Sequence, residues 1–117
     1  MRDENCIFCK IVRGEIPSSK VYEDDLVLAF RDIQPQAPVH ILFIPKAHVM
    51  ASANDFDEVA HGAVLARIFS AIRQVAKEEG LENGYRIINN CGDDAGQTVH
   101  HIHFHLLGGK DMGEKLV

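Results

Sequence analysis

The sequence predicts an α+β fold, an antiparallel sheet of about five strands with one long helix packed on it. Three observations lead there. Five short runs rich in β-branched and aromatic residues are separated by turn residues. A single segment has helical periodicity, with Leu65, Ile68, Ile72 and Val75 at spacings of three, four and three. The chain has 117 residues, 46% hydrophobic and 25% charged, which suits one soluble domain over 1–117 around one core.

The elements follow in order. Gly14 and the run Ile16-Pro17-Ser18-Ser19 form a break near the start. Val21-Tyr22-Glu23 reads as a short strand, Asp24-Asp25 as a turn and residues 26–30 as a second strand, the pair making a hairpin. Pro35 and Pro38 make the next segment irregular, and His40-Ile41-Leu42-Phe43-Ile44 is a third strand that stops at Pro45. Asp55 with Glu58 three residues on resembles a capping box and opens the helix. Ala66, Phe69 and Ala76 widen its apolar face, and Gly80 is placed as a left-handed cap. Residues 85–89 read as a fourth strand, 92–96 as a loop, and 98–107 as a fifth strand stopped by Gly108-Gly109.

Composition narrows the partners. No apolar stretch is long enough to span a bilayer, and the polar first residues lack the apolar core of a signal peptide, so the expectation is a cytoplasmic chain with no membrane partner. Twelve basic residues against 17 acidic give a net charge of −5, the opposite sign to a protein that tracks a nucleic-acid backbone. A small phosphate ligand needs only a local positive site. Three cysteines, an odd number, argue against a disulfide framework.

The chemistry concentrates in one run. Four of the seven histidines, His100, His101, His103 and His105, fall within six positions. On a strand His101, His103 and His105 share one face, while His100, Ile102, Phe104 and Leu106 point the other way. Imidazoles this close push one another toward the neutral form, whose free lone pair can bind a metal, take a proton or attack an electrophile. Gly92 and Gly96 let the preceding loop expose backbone N–H groups as an anion nest, and Gln97 and Thr98 add side-chain donors.

The run from Gly96 to Leu107, with its His-φ-His-φ-His-φ-φ core (φ apolar), resembles the signature of the histidine triad (HIT) superfamily. Cys6-Ile7-Phe8-Cys9-Lys10-Ile11, Ala29-Phe30-Arg31-Asp32-Ile33, Pro35-Gln36-Ala37-Pro38-Val39-His40, Ile44-Pro45-Lys46-Ala47-His48, Gly84-Tyr85-Arg86 and Asn89-Asn90 extend the resemblance over essentially the whole chain. It is nearest to the Hint branch, whose members are homodimeric purine nucleoside phosphoramidases. That resemblance implies a HIT-like fold, a homodimer and a purine nucleotide substrate. His103 would be the nucleophile that attacks the α-phosphorus and becomes nucleotidylated, with water then releasing AMP or GMP. His105 would donate to phosphate oxygens, Thr98 would stand near the leaving group, and His40 would orient the rings from behind. Asp32 would accept from the ribose hydroxyls. Ile7, Phe8, Ile11, Phe30, Ile33 and Leu42 would form the base cleft, and Asn90, Gly96 and Gln97 would lie on the phosphate side. Position 100 is His where many relatives carry Tyr, and no catalytic role is expected of it.

Cys6 and Cys9 have zinc-knuckle spacing without a second such pair. Read alone, they fit a metal site, a redox pair or two free thiols under the sheet. The resemblance to some bacterial members implies a structural Zn2+ on Cys6, Cys9, His48 and His101, with none required for catalysis. Two other functional readings stay open at this point: a zinc-dependent hydrolase that uses His101, His103 and His105 as ligands, and a nucleotide-binding module with negligible turnover.

Overall fold

The computed structural model describes residues 5–116. Its strands are β1 (Lys20–Glu23), β2 (Val27–Arg31), β3 (Val39–Pro45), β4 (Tyr85–Ile88) and β5 (Phe104–Gly108), with helices α1 (Ile7–Val12) and α2 (Glu58–Glu78). The strands form one antiparallel sheet in the order β1-β2-β3-β5-β4.

Strand alternation sends β2 and β3 side chains to two separate apolar layers. Val27, Ala29, Ile41 and Phe43 join Phe104, Leu106 and the inner stripe of α2, namely Ile68, Ala71, Ile72, Val75 and Ala76. Leu28, Phe30, Leu42 and Ile44 join Phe8, Cys9 and Ile11 on the opposite face. A sheet covered on both sides needs apolar residues at successive positions, which is why 26–30 and 40–44 read as unbroken apolar runs. Burying Ile68, Ile72 and Val75 stabilises α2 against the sheet by about 1.5–3 kcal/mol each. Ala66 and Phe69, expected on that stripe, are exposed and half-exposed, although the Phe69 ring still meets Phe104 at 5.6 Å.

The helix does not start at Asp55. Asp55 lies in a 3-10 turn, where its carboxylate accepts from Ala51 N–H at 2.9 Å. Asp57 is the N-cap: its Oδ2 accepts from Ala60 N–H at 2.7 Å, while its own N–H donates to His61 Nδ1 at 3.0 Å. The two bonds are reciprocal as in a capping box, but the side chain that reaches back is His61, one position beyond the usual glutamate. Gly80, at φ +72°, ends the helix as expected.

The fifth strand is shorter than expected and ends later. Pairing begins only at Phe104, because residues 98–103 turn away to bond elsewhere, with Ile102 N–H donating to Met50 O at 2.9 Å. Gly108 belongs to the strand and does not stop it. A Cβ there would lie 2.8 Å from Leu81 Cδ1, so only glycine lets that side chain cover the strand end.

The sequence did not suggest α1. Six residues are too few to persist by propensity. Cys6 caps it by accepting from Cys9 N–H at 3.3 Å, and Phe8, Cys9 and Ile11 bury its inner side.

Candidate active site

Sheet register brings the site together. Leu42 lies opposite both Phe30 and His105, and Ile88 lies opposite His105 from the other side. Asp32 N–H donates to His40 O at 2.9 Å, continuing the β2–β3 ladder one step. This places the Asp32 carboxylate 3.5 Å from His40 Nε2, which is itself 2.9 Å from His105 Nδ1.

Groups that can only donate or only accept fix the ring protons. Gln36 N–H donates to His40 Nδ1 at 3.0 Å, so that nitrogen carries no proton and Nε2 carries the hydrogen. His40 Nε2–H then donates to His105 Nδ1, which leaves the one hydrogen of neutral His105 on Nε2. His103 is the reverse. Its Nδ1–H donates to the His101 carbonyl at 2.8 Å, so its lone pair is on Nε2. Neighbouring triad rings, 5.2 Å apart, thus present one acceptor and one donor. Asn89 Nδ2–H fixes the backbone beneath by donating to His103 O at 2.9 Å.

Burial keeps the rings neutral. It lowers the pKa of His40 and His103, and pushes that of His105 down to about 4, with the nearby His103 and His40 adding to the fall. His101 is likewise brought to about 4 by burial.

The expected base-cleft residues divide. Phe8, Ile11, Phe30 and Leu42 form one cluster, joined by Leu28, Ile44, Ile16 and Val99, which the motif did not single out. Ile7 is half-exposed and Ile33 is 95% exposed, so neither belongs to it. Asp32 Oδ1 accepts from Gln34 N–H at 2.8 Å, an Asx turn that aims the carboxylate. Asn90 is half-buried, and Gly96, at φ +76°, turns the loop. Gln97 is buried and uses its amide internally: Oε1 accepts from Gly92 N–H at 2.8 Å, and Nε2 donates to Ala51 O and Val99 O at 2.6 and 3.0 Å. It therefore clamps the loop, and it occupies one N–H of the expected anion nest. Thr98 and His100 are exposed, beside a cavity of about 220 Å3 that also reaches Cys6 and His48.

His101 serves a different centre. Cys6 Sγ, Cys9 Sγ, His48 Nδ1 and His101 Nδ1 all lie within 4.8 Å of one another. His101 Nδ1 is 3.3 Å from Cys6 Sγ and 3.6 Å from Cys9 Sγ, and His48 Nδ1 is 3.3 Å from Cys9 Sγ. His101 Nε2–H donates to Pro45 O at 2.8 Å, which turns the Nδ1 lone pair toward the sulfurs. Two sulfurs and two imidazole nitrogens at these separations fit the tetrahedral donor set of zinc, and the Pro45 carbonyl holds the far nitrogen of His101 as metal-bound histidines require. Among the described residues, His105 groups instead with Asp32 and His40, and His103 belongs to neither set. The triad is therefore not one three-histidine metal site.

The backbone groups that fix the protons, Gln36 N–H, Pro45 O and His101 O, were not found from the sequence, since every residue carries such groups. Asn89 carried only the signal of its place beside Asn90.

Comparisons with known proteins show the family and the fold. The chain is 50% identical over 114 residues to a purine nucleoside phosphoramidase of Escherichia coli strain K12, covering 97% of this chain and 94% of that protein. It is 51% identical over 110 residues to a 14 kDa zinc-binding protein of Zea mays, covering 94% of this chain and 86% of that one. A HIT family hydrolase from Clostridium thermocellum superposes with a TM-score of 0.95 at 50% identity, over 99% of this chain and 100% of that one. The HIT domain profile matches residues 13–112. With that profile, these relatives and the triad geometry in agreement, this chain belongs to the histidine triad superfamily, in its Hint-type branch.

Proposed function

We propose that this chain is a purine nucleoside phosphoramidase that works through a nucleotidyl-histidine. The observation that carries the reading is the opposed pair of tautomers, His103 with its lone pair on Nε2 and His105 with its hydrogen there. Nε2 of His103 attacks the α-phosphorus and the P–N bond breaks. The amine departs with a proton passed from solvent water through the exposed Thr98 hydroxyl, and the water that later attacks phosphorus returns one proton to solvent. The nucleotidylated ring is cationic and keeps its Nδ1–H against the His101 carbonyl, so the charge has a partner. His105 Nε2–H donates to a phosphate oxygen in both steps. Water then attacks phosphorus, and the nucleoside monophosphate leaves with His103 restored. Asp32 accepts from ribose hydroxyls, the Phe8, Ile11, Phe30 and Leu42 cluster takes the base, with Ile7 and Ile33 at its lip, and Asn90 and the Gly96 turn lie beside the phosphate.

The same reading places Zn2+ on Cys6, Cys9, His48 and His101. A cation there would reverse the upward push that burial gives the Cys6 thiol. With four protein ligands the ion has no open position, so it is structural. The reading also includes a single HIT domain acting as a cytoplasmic homodimer, supported by the half-exposed Phe69, Tyr85 and Ile87. No helix among the described residues is long and apolar enough to cross a membrane.

Rapid mixing with an adenosine phosphoramidate, followed by intact-protein mass spectrometry, tests the mechanism. An adenylyl-sized adduct should form on wild type and not on His103→Ala, whose turnover should fall by at least about 10³-fold with the fold retained. Undiminished turnover by that variant would refute the reading. Chemistry that chelation abolishes, with no adduct at any time, would favour a metal hydrolase. Nucleotide binding without turnover would favour a binding module.

A further inference from the structure

We propose that the metal centre and the nucleotide site are thermodynamically linked, through the Phe8 ring and the His101 backbone carbonyl, so that occupying one tightens the other. The inference rests on the functional reading above.

Two physical paths join the sites. Phe8 lies between the ligands Cys6 and Cys9 on α1 and is 6% exposed. Its ring meets His103 edge-on, with centroids 5.0 Å apart and planes at 83°. It also meets His101 at 5.9 Å and Phe30, across the base cleft, at 5.7 Å. One side chain therefore touches the nucleophile, a metal ligand and the cleft wall. The second path is His101 itself. Its imidazole faces the two sulfurs, while its carbonyl holds the Nδ1–H of His103.

These paths matter because α1 depends on three packed side chains, Phe8, Cys9 and Ile11, and on one cap. It has six residues, and its capping atom is the Cys6 sulfur, itself a metal ligand. Without a cation the two thiols offer the imidazole lone pairs only weak S–H···N bonds at 3.3–3.6 Å, which hold the four atoms less firmly than one shared ion would. A bound cation fixes Cys6 and Cys9, and so fixes Phe8. A nucleotide needs Phe8, Ile11 and the His103 ring in the same places. Two ligands that require one arrangement each lower the ordering cost of the other, and the coupling is reciprocal.

The test is a zinc titration of the full chain against a chromophoric competing chelator, without AMP and at saturating AMP, with a protein-free control for zinc bound by AMP. Zinc should bind about 5–10-fold tighter with AMP present, and AMP should gain the same factor on zinc loading. Phe8→Leu keeps the site apolar without the ring. It should retain zinc binding and lose most of the AMP-linked gain. Far-UV circular dichroism follows the same titration and should show the sheet and α2 intact without metal. The proposal is overturned if zinc and AMP both bind yet neither alters the other's affinity. It is also overturned if Phe8→Leu shows the full gain, or if metal removal melts the whole fold, since the gain would then report folding. Failure to bind zinc, or failure to bind AMP, would refute the corresponding part of the functional reading itself.

Discussion

Four buried or half-buried histidines sit within a few ångströms of one another, and each has its own hydrogen-bond assignment. A change in one partner should therefore act by moving a proton between ring nitrogens. His40→Ala removes the donor to His105 Nδ1, and that ring can then carry its hydrogen on either nitrogen. We expect kcat to fall by about 10–100-fold, as when a residue that orients a reacting group is lost, with KM nearly unchanged, in steady-state kinetics on wild type and variant. The same rings make stability depend on pH. His105 titrates near 4 when folded and near its ordinary value of 6.5 when unfolded. Between those values the unfolded chain binds more protons. The stability is fully present above about pH 6.5 and is lost as pH falls toward 4, by about 2 kcal/mol from His105 after discounting for its partial exposure. His40 shifts in the same direction and adds to the loss. Urea unfolding at pH 7.5, 5.5 and 4.5 should show the midpoint falling along that series, and a flat midpoint would refute the assignment. At this scale the histidine row and the Cys6–Cys9 pair were legible as side-chain types at a fixed spacing, whereas Asp32, His48 and the metal role of His101 came in only through the family resemblance. Spacing alone did not say which triad member does what; the expected roles came from the family resemblance. His101 leaves the row for the cysteines because of a 2.8 Å bond to Pro45 O, and no residue type announces a carbonyl's direction.

Helix α2 and strand β5 show where local pattern suffices and where it fails. The stripe of Ile68, Ile72 and Val75 fixed the helix face, but the choice between Asp55 and Asp57 as cap depended on which carboxylate the chain turns toward a free N–H. Asp57→Ala should therefore cost about 1 kcal/mol, lowering Tm by roughly 4 °C in calorimetry, and more than Asp55→Ala does. Strand β5 was overextended because alternation continues through His101 and His103, although Gln97 and the Ile102–Met50 bond take that segment out of the ladder. Gly108→Ala should cost about 1–3 kcal/mol, since a methyl group would meet Leu81 at 2.8 Å. A denaturation midpoint within error of wild type would show that Leu81 simply moves aside. Helix α1 escaped prediction for a further reason: its stability lies in a sulfur cap and in packing on a distant sheet face, and neither has a local period.

Across the whole molecule α2 lies over β1, β2 and β3, and the same face of β4 stays open at the sheet edge. Tyr85 and Ile87 are on that side, opposite Gly108 and Leu106, near the half-exposed Phe69. The proposed self-association uses this strip, so Ile87→Lys should shift the sedimenting species from dimer to monomer, and a monomeric wild type would remove the basis for it. The strand order has a separate consequence, for the making of the protein. Strand β5 is the last in sequence yet lies between β3 and β4. During synthesis β1, β2 and β3 can pair as they emerge, but β4 has no neighbour until β5 arrives. A nascent chain still lacking residues 104–108 holds Asp32, His40, Cys6 and Cys9 without His105, and so has no complete site. The candidate site is therefore complete only once that strand has been made, and a ribosome stalled before it carries an unfinished sheet edge for chaperones to cover.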